Sequence, residues 1–101
     1  LKSPRPKRAH PVAEIRRLVS RDAYIFSRHA LQRLQQRQVT VPEVRHVLLN
    51  GFHEARKDEW REAEGTWIYA IRGKTLDERE LRVCVSFLPG NVLIVTVIDL
   101  D

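Results

Sequence analysis
The stretch SRHALQRLQQRQVTVPEVRHVLLNG, residues 27–51, decides how the rest of the chain is read. Ser27 has the hydroxyl of an N-cap, and Ala30, Leu31 and Leu34 follow at helical spacing, which predicts a helix over about 28–37. Thr40-Val41-Pro42-Glu43 is a capping-box pattern with proline in the first turn, where a missing N–H costs nothing. A further helix is predicted from there, with Val44, Val47 and Leu48 inward and Asn50-Gly51 as its stop. Upstream, Pro11 opens a first helix carrying Val12, Ile15, Leu18 and Val19 on one side. Downstream of Gly51 the hydrophobic period changes from helical to two. Phe52 to Lys57 reads as an edge strand. Trp67, Tyr69 and Ile71 alternate with Ile68, Ala70 and Arg72, and Leu81, Val83, Val85 and Phe87 alternate with Arg82, Cys84 and Ser86. Val92 to Leu100 is a β-branched run suited to a central strand, joined to the preceding strand by the turn Pro89-Gly90-Asn91. Three helices before three or four antiparallel strands predict an α+β fold with the helices packed on one sheet face. Residues 11–101 form the expected domain, and LKSPRPKRAH, residues 1–10, a flexible basic arm.

Composition narrows the classes of function. The 101 residues carry a formal charge of +5, unevenly spread. Residues 1–50 hold eleven Lys/Arg against three Asp/Glu, and residues 51–101 hold seven against ten, giving +8 and −3. That asymmetry suits a polyanionic partner on the first half, although a solvated basic helix face would look the same. The single cysteine, Cys84, cannot form an internal disulfide, which suits a reducing cytoplasm. No apolar run approaches the roughly 18 residues of a membrane span, and no secretory leader is visible at the start. His10, His46 and His53 have no ligand spacing, so neither a metal nor a cofactor is expected.

His29, Arg33 and Arg37 recur every fourth residue and form one stripe beside the apolar face of Ala30, Leu31 and Leu34. The stripe therefore lies where core meets solvent, the position of a cleft wall. Like charges on one helix stripe repel, and a bound anion would relieve them; the arginine fork matches phosphate bidentately. Arg72, Lys74, Arg82 and Thr96 on the strands are further candidate phosphate ligands. Cys84 reads as a packed strand residue, and Trp67 and Tyr69 as core aromatics that could also stack on bases.

The run Phe26-Ser27-Arg28-His29-Ala30-Leu31-Gln32-Arg33-Leu34-Gln35-Gln36-Arg37 resembles the S-x-H-A-x-x-R-x-x-x-R signature of the domain of unknown function 4258 family. The likeness continues through Thr40-Val41-Pro42-Glu43-Val44 and Gly51 to Val95-Thr96-Val97, similar to that family's closing strand, and spans about residues 15–98. Arg79-Glu80-Leu81-Arg82 loosely resembles its basic strand start. The resemblance implies kinship with small bacterial toxins of the RelE and BrnT type, with a RelE-like fold of helices on an antiparallel sheet. It implies a toxin of a type II toxin–antitoxin pair: a metal-independent endoribonuclease on mRNA, free or on the ribosome, held by a cognate antitoxin. It places His29, Arg33 and Thr96 in the site. In that reading His29 is the general acid or base, Arg33 the phosphate ligand, and Arg37 or Arg82 the assisting group. Two rival functions use the same basic face: a non-catalytic RNA- or ribosome-binding domain, and a protein-interaction module gripping an acidic partner.

Overall fold
A computed structural model describes residues 4–101, so the first three residues of the basic arm lie outside the described residues. Three ten-residue helices form, α1 (Pro11–Ser20), α2 (Arg28–Arg37) and α3 (Val41–Asn50). Six strands follow or intervene: β1 (Tyr24–Phe26), β2 (Phe52–His53), β3 (Glu59–Arg61), β4 (Thr66–Lys74), β5 (Glu80–Leu88) and β6 (Asn91–Asp99). The predicted caps are in place. Ser27 Oγ accepts from the Ala30 N–H at 3.0 Å. Thr40 and Glu43 exchange both capping-box bonds, since Thr40 N–H donates to Glu43 Oε1 at 2.8 Å and Glu43 N–H to Thr40 Oγ1 at 3.3 Å. Gly51 ends α3 for a reason of space rather than of backbone freedom. Its φ is −78°, but a Cβ there would stand 2.5 Å from the Arg72 carbonyl oxygen and 2.6 Å from that of Val47.

The architecture is α+β, and the sheet is larger than predicted and mixed. Its order is β1-β6-β5-β4-β2, with β3 paired to β4. β1 runs parallel to β6, Tyr24 opposite Val92 and Phe26 opposite Ile94, whereas the other pairings are antiparallel. Three residues are too few for a period-two signal, and parallel pairing across more than sixty residues leaves no local mark. The predicted edge strand 52–57 is also shorter than expected. Only Phe52–His53 pairs, with Arg72 and Ile71, and Ala55–Lys57 closes into a 3-10 turn.

The helices cover one face of the sheet. Ile15, Val19, Ala30, Val44, Val47 and Leu48 pack on Ile71, Leu81, Val83, Val85, Val92, Ile94 and Val97 in one apolar cluster. Leu31, expected inside, is 51% exposed, and Val39 beyond the helix end is buried in its stead. Residues 5–8 of the arm lie on the aromatic end of the sheet. Trp67 Nε1 donates to the Arg5 carbonyl at 2.5 Å, and Arg8 N–H donates to Tyr69 Oη at 2.9 Å. Lys7 sits 4.8 Å from the Trp67 ring centroid and 2.9 Å from the Asp58 carboxylate.

Candidate functional site
Two local features bring the first residues of α2 against β6. Ser27 does double service. While its Oγ accepts from Ala30 N–H, its hydroxyl donates to the Val95 carbonyl at 3.0 Å, and its own N–H donates to the Ile94 carbonyl at 3.0 Å. Ile94 and Val95 lie at a β-bulge: Val85 pairs with Ile94 and Cys84 with Thr96, which leaves Val95 as an extra residue on β6. A bulge reverses the alternation beyond it. Ile94 and Val97, three apart, therefore both point into the helix-side core, and Thr96 is turned out of it. Without the bulge, strict alternation would bury Thr96 beneath α2.

Thr96 Oγ1 instead lies 3.1 Å from His29 Nε2. Arg33, one turn along α2, donates its Nε–H to the same Nε2 at 3.4 Å and an Nη–H to Gln36 Oε1 at 2.9 Å. A guanidinium only donates, so a nitrogen facing it presents a lone pair. Arg33 has no carboxylate partner among the described residues, so its charge is not neutralised locally.

His29 and Thr96 form one wall of a cleft of about 620 Å³ on the sheet face opposite the helices. Ile68, Leu93 and Val95 supply apolar surface, Thr66 and Ser86 supply hydroxyls, and Arg61 and Glu64 reach it from the β3–β4 hairpin. This volume falls in the range of small-ligand sites, and an apolar surface with a few convergent hydroxyls is the usual lining of one. Sequence reasoning missed Arg61, Glu64, Thr66 and Ser86. Ser86 could have been found, because it shares its parity with Arg82 and Cys84 on the face away from the core. The hairpin residues carry no such signal, since three-residue β3 has no readable period.

The remaining candidates are placed elsewhere. Arg37 is exposed and does not line the cleft; its carbonyl, with that of Gln38, accepts from the Arg79 guanidinium, which also pairs with Asp99 at 2.9 Å. Arg79 thus caps the C-terminal end of α2, where a positive charge is favoured. Arg82 turns to Glu54, its Nε 2.7 Å from Oε1. Glu54 is nearly fully buried and also takes Arg72 at 3.1 Å, while Arg72 reaches Glu80 at 3.2 Å. The Arg82 hydrogen bond, helped by Arg72, outweighs burial and holds the Glu54 carboxyl down to about 2. Cys84 lies on the cleft side of the sheet, and burial pushes its thiol up to about 11, which removes it as a nucleophile near neutrality. Among the described residues no three His, Cys, Asp or Glu side chains converge as metal ligands. No helix among them is long and apolar enough to cross a membrane.

Fold and site together define a small α+β domain with a histidine and a threonine on the wall of a one-sided cleft of a mixed sheet, and an arginine hydrogen-bonded to that histidine. The chain belongs to the family described as Domain of unknown function (DUF4258), which matches residues 26–99. The match takes in α2, the bulge and the whole cleft, and leaves out α1 and the basic arm. No curated protein and no solved structure matches the chain.

Proposed function
We propose that this domain is a metal-independent endoribonuclease whose site is His29, Arg33 and Thr96. The observation that carries the reading is the convergence on His29 Nε2, 3.1 Å from a hydroxyl and 3.4 Å from an arginine that no carboxylate neutralises. A lone pair beside an unneutralised guanidinium suits a phosphodiester: the base removes a proton where the arginine holds the negative charge that builds on phosphorus-bound oxygens. In the proposed step, Arg33 and the Thr96 hydroxyl turn their protons from His29 Nε2 as Arg33 takes the phosphate. The ribose 2′-oxygen forms a bond to phosphorus, its proton passes to the lone pair so freed, and the bond to the 5′-oxygen breaks. The departing oxygen takes a proton from solvent, and a 2′,3′-cyclic phosphate remains. Thr96 keeps the imidazole on the cleft side. The apolar surface and hydroxyls of the cleft match the faces and edges of a nucleobase.

Such an activity suits a cytoplasmic toxin of a type II toxin–antitoxin pair, akin to the RelE and BrnT type, acting on mRNA and restrained by a cognate antitoxin. An acidic antitoxin segment over α2 would meet the +8 half of the chain. The test is digestion of single-stranded RNA in EDTA with mass analysis of the new ends. Cyclic phosphate and 5′-hydroxyl ends are expected. Cleavage that requires added magnesium, or ends carrying 5′-phosphate, would contradict the proposal.

A further inference from the structure
Beside the His29 cleft lies a second, smaller one of about 240 Å³, and Thr66 and Phe87 line both. Its walls are Trp60 and Trp67 from the β3–β4 hairpin and Arg5 and Arg8 from the arm. The two indoles meet edge to face with centroids 5.7 Å apart. Arg8 stands 4.1 Å over the Phe87 ring, and Arg5 has no ion-pair partner among the described residues. Trp60 Nε1–H is the only buried side-chain polar atom without a partner among the described residues. Basic groups that follow a backbone, interleaved with aromatic rings that take bases, are how single-stranded nucleic acid is bound.

We infer that this second cleft is a subsite for a flanking nucleotide of single-stranded RNA, its base against the Trp60–Trp67 pair and its phosphate met by Arg5. The inference rests on the RNA reading of the His29 cleft, and it makes binding tighten with a nucleotide beyond those held there. It also gives the arm a role in substrate binding: Arg5 and Arg8 lie outside the family match, and the tryptophans they face lie within it.

The chain has two tryptophans, and both line this cleft, so its intrinsic emission reports on the subsite directly. The probes are a 2′-O-methyl mononucleotide and a 2′-O-methyl tetranucleotide, which cannot be cleaved because the attacking hydroxyl is blocked. Binding is read by tryptophan emission and by calorimetry. The tetranucleotide should bind roughly tenfold tighter or more, and quench emission, where the mononucleotide does not. Arg5→Glu, on an exposed residue, should remove most of that gain and leave mononucleotide affinity unchanged. Trp60→Phe and Trp67→Phe, which keep an aromatic ring, should each halve the quench or more. Equal affinities with unchanged emission would overturn the subsite while leaving the RNA reading standing. Full length gain in Arg5→Glu would also overturn it. Binding of neither probe would end both. Length gain and quenching without cleavage of the matching unmodified RNA would uphold the subsite and end the nuclease reading.

Discussion
Arg33 and Arg82 serve the same sheet and are held in opposite ways. Arg82 gives its Nε–H to the buried Glu54 carboxylate at 2.7 Å, and its neighbour Arg72 is shared between Glu54 and Glu80. Among the described residues Arg33 has only neutral acceptors, His29 Nε2 and Gln36 Oε1. In the first cluster the buried Glu54 carboxylate is met by Arg72 and Arg82, with Arg56 at 3.4 Å, and removing it leaves their charges unpaired on that side. The second carries a positive charge open to an anion. Composition counts both arginines alike, yet one is tied to a buried carboxylate and the other has no carboxylate partner among the described residues. Three of the eleven basic residues of the first half, Arg28, Arg33 and Arg37, lie on α2, whereas Arg72 and Arg82 on the strands are paired where they stand.

Substitutions in the two clusters should separate activity from stability. The largest effect is expected from His29→Ala. RNA cleavage should fall about 10²–10⁴-fold, as for the loss of a general acid–base group. The urea midpoint should stay put, because His29 is exposed. Initial rates and a denaturation curve on the same preparation read both, and full activity in the folded variant would remove His29 from the site.

Glu54→Gln should do the reverse. Breaking this pair should cost about 2–3 kcal/mol of stability, on the low side for a buried pair because both arginines keep some contact with water. The activity of the remaining folded protein should hold. The pH dependence has a definite sign. The folded carboxyl is held at about 2 against an ordinary 4.5, so its contribution is fully present above about pH 4.5 and is lost as pH falls toward 2. The stability gap between wild type and variant should close across that window. A gap that is constant with pH would mean that Glu54 acts through shape alone.

Thr96→Val is the smallest change expected. It keeps volume and removes the hydroxyl that meets His29. Loss of one such bond should lower the cleavage rate about tenfold with little change in the midpoint. Equal loss of stability and rate would make Thr96 a packing residue.

Much of this was legible from residues 27–51. The hydroxyls of Ser27 and Thr40, the Glu43 return bond and the positions of Val44, Val47 and Leu48 are local, and they came out as spacing predicted. The four-residue stripe placed His29 on a cleft wall and Arg33 beside it. Two positions on the same helix did not come out so: Leu31 is 51% exposed, and Arg37 of the stripe does not line the cleft. The other failures are non-local. The Val95 bulge, which turns Thr96 toward His29, depends on pairing with Cys84 and Val85, and a β-branched run reads the same with or without it. Parallel β1 depends on a partner more than sixty residues away. Arg82 and Arg79 look alike in the sequence, and only the buried Glu54 and the end of α2 separate their duties.

The most direct measurement follows the arginine side-chain Nε–H resonances during titration with a non-cleavable 2′-O-methyl dinucleotide. Arg33 should shift progressively and saturably, while Arg72 and Arg82, already held by Glu54 and Glu80, should keep their positions. Shifts at Arg72 and Arg82 with Arg33 unmoved would put the phosphate on the wrong cluster and contradict the account.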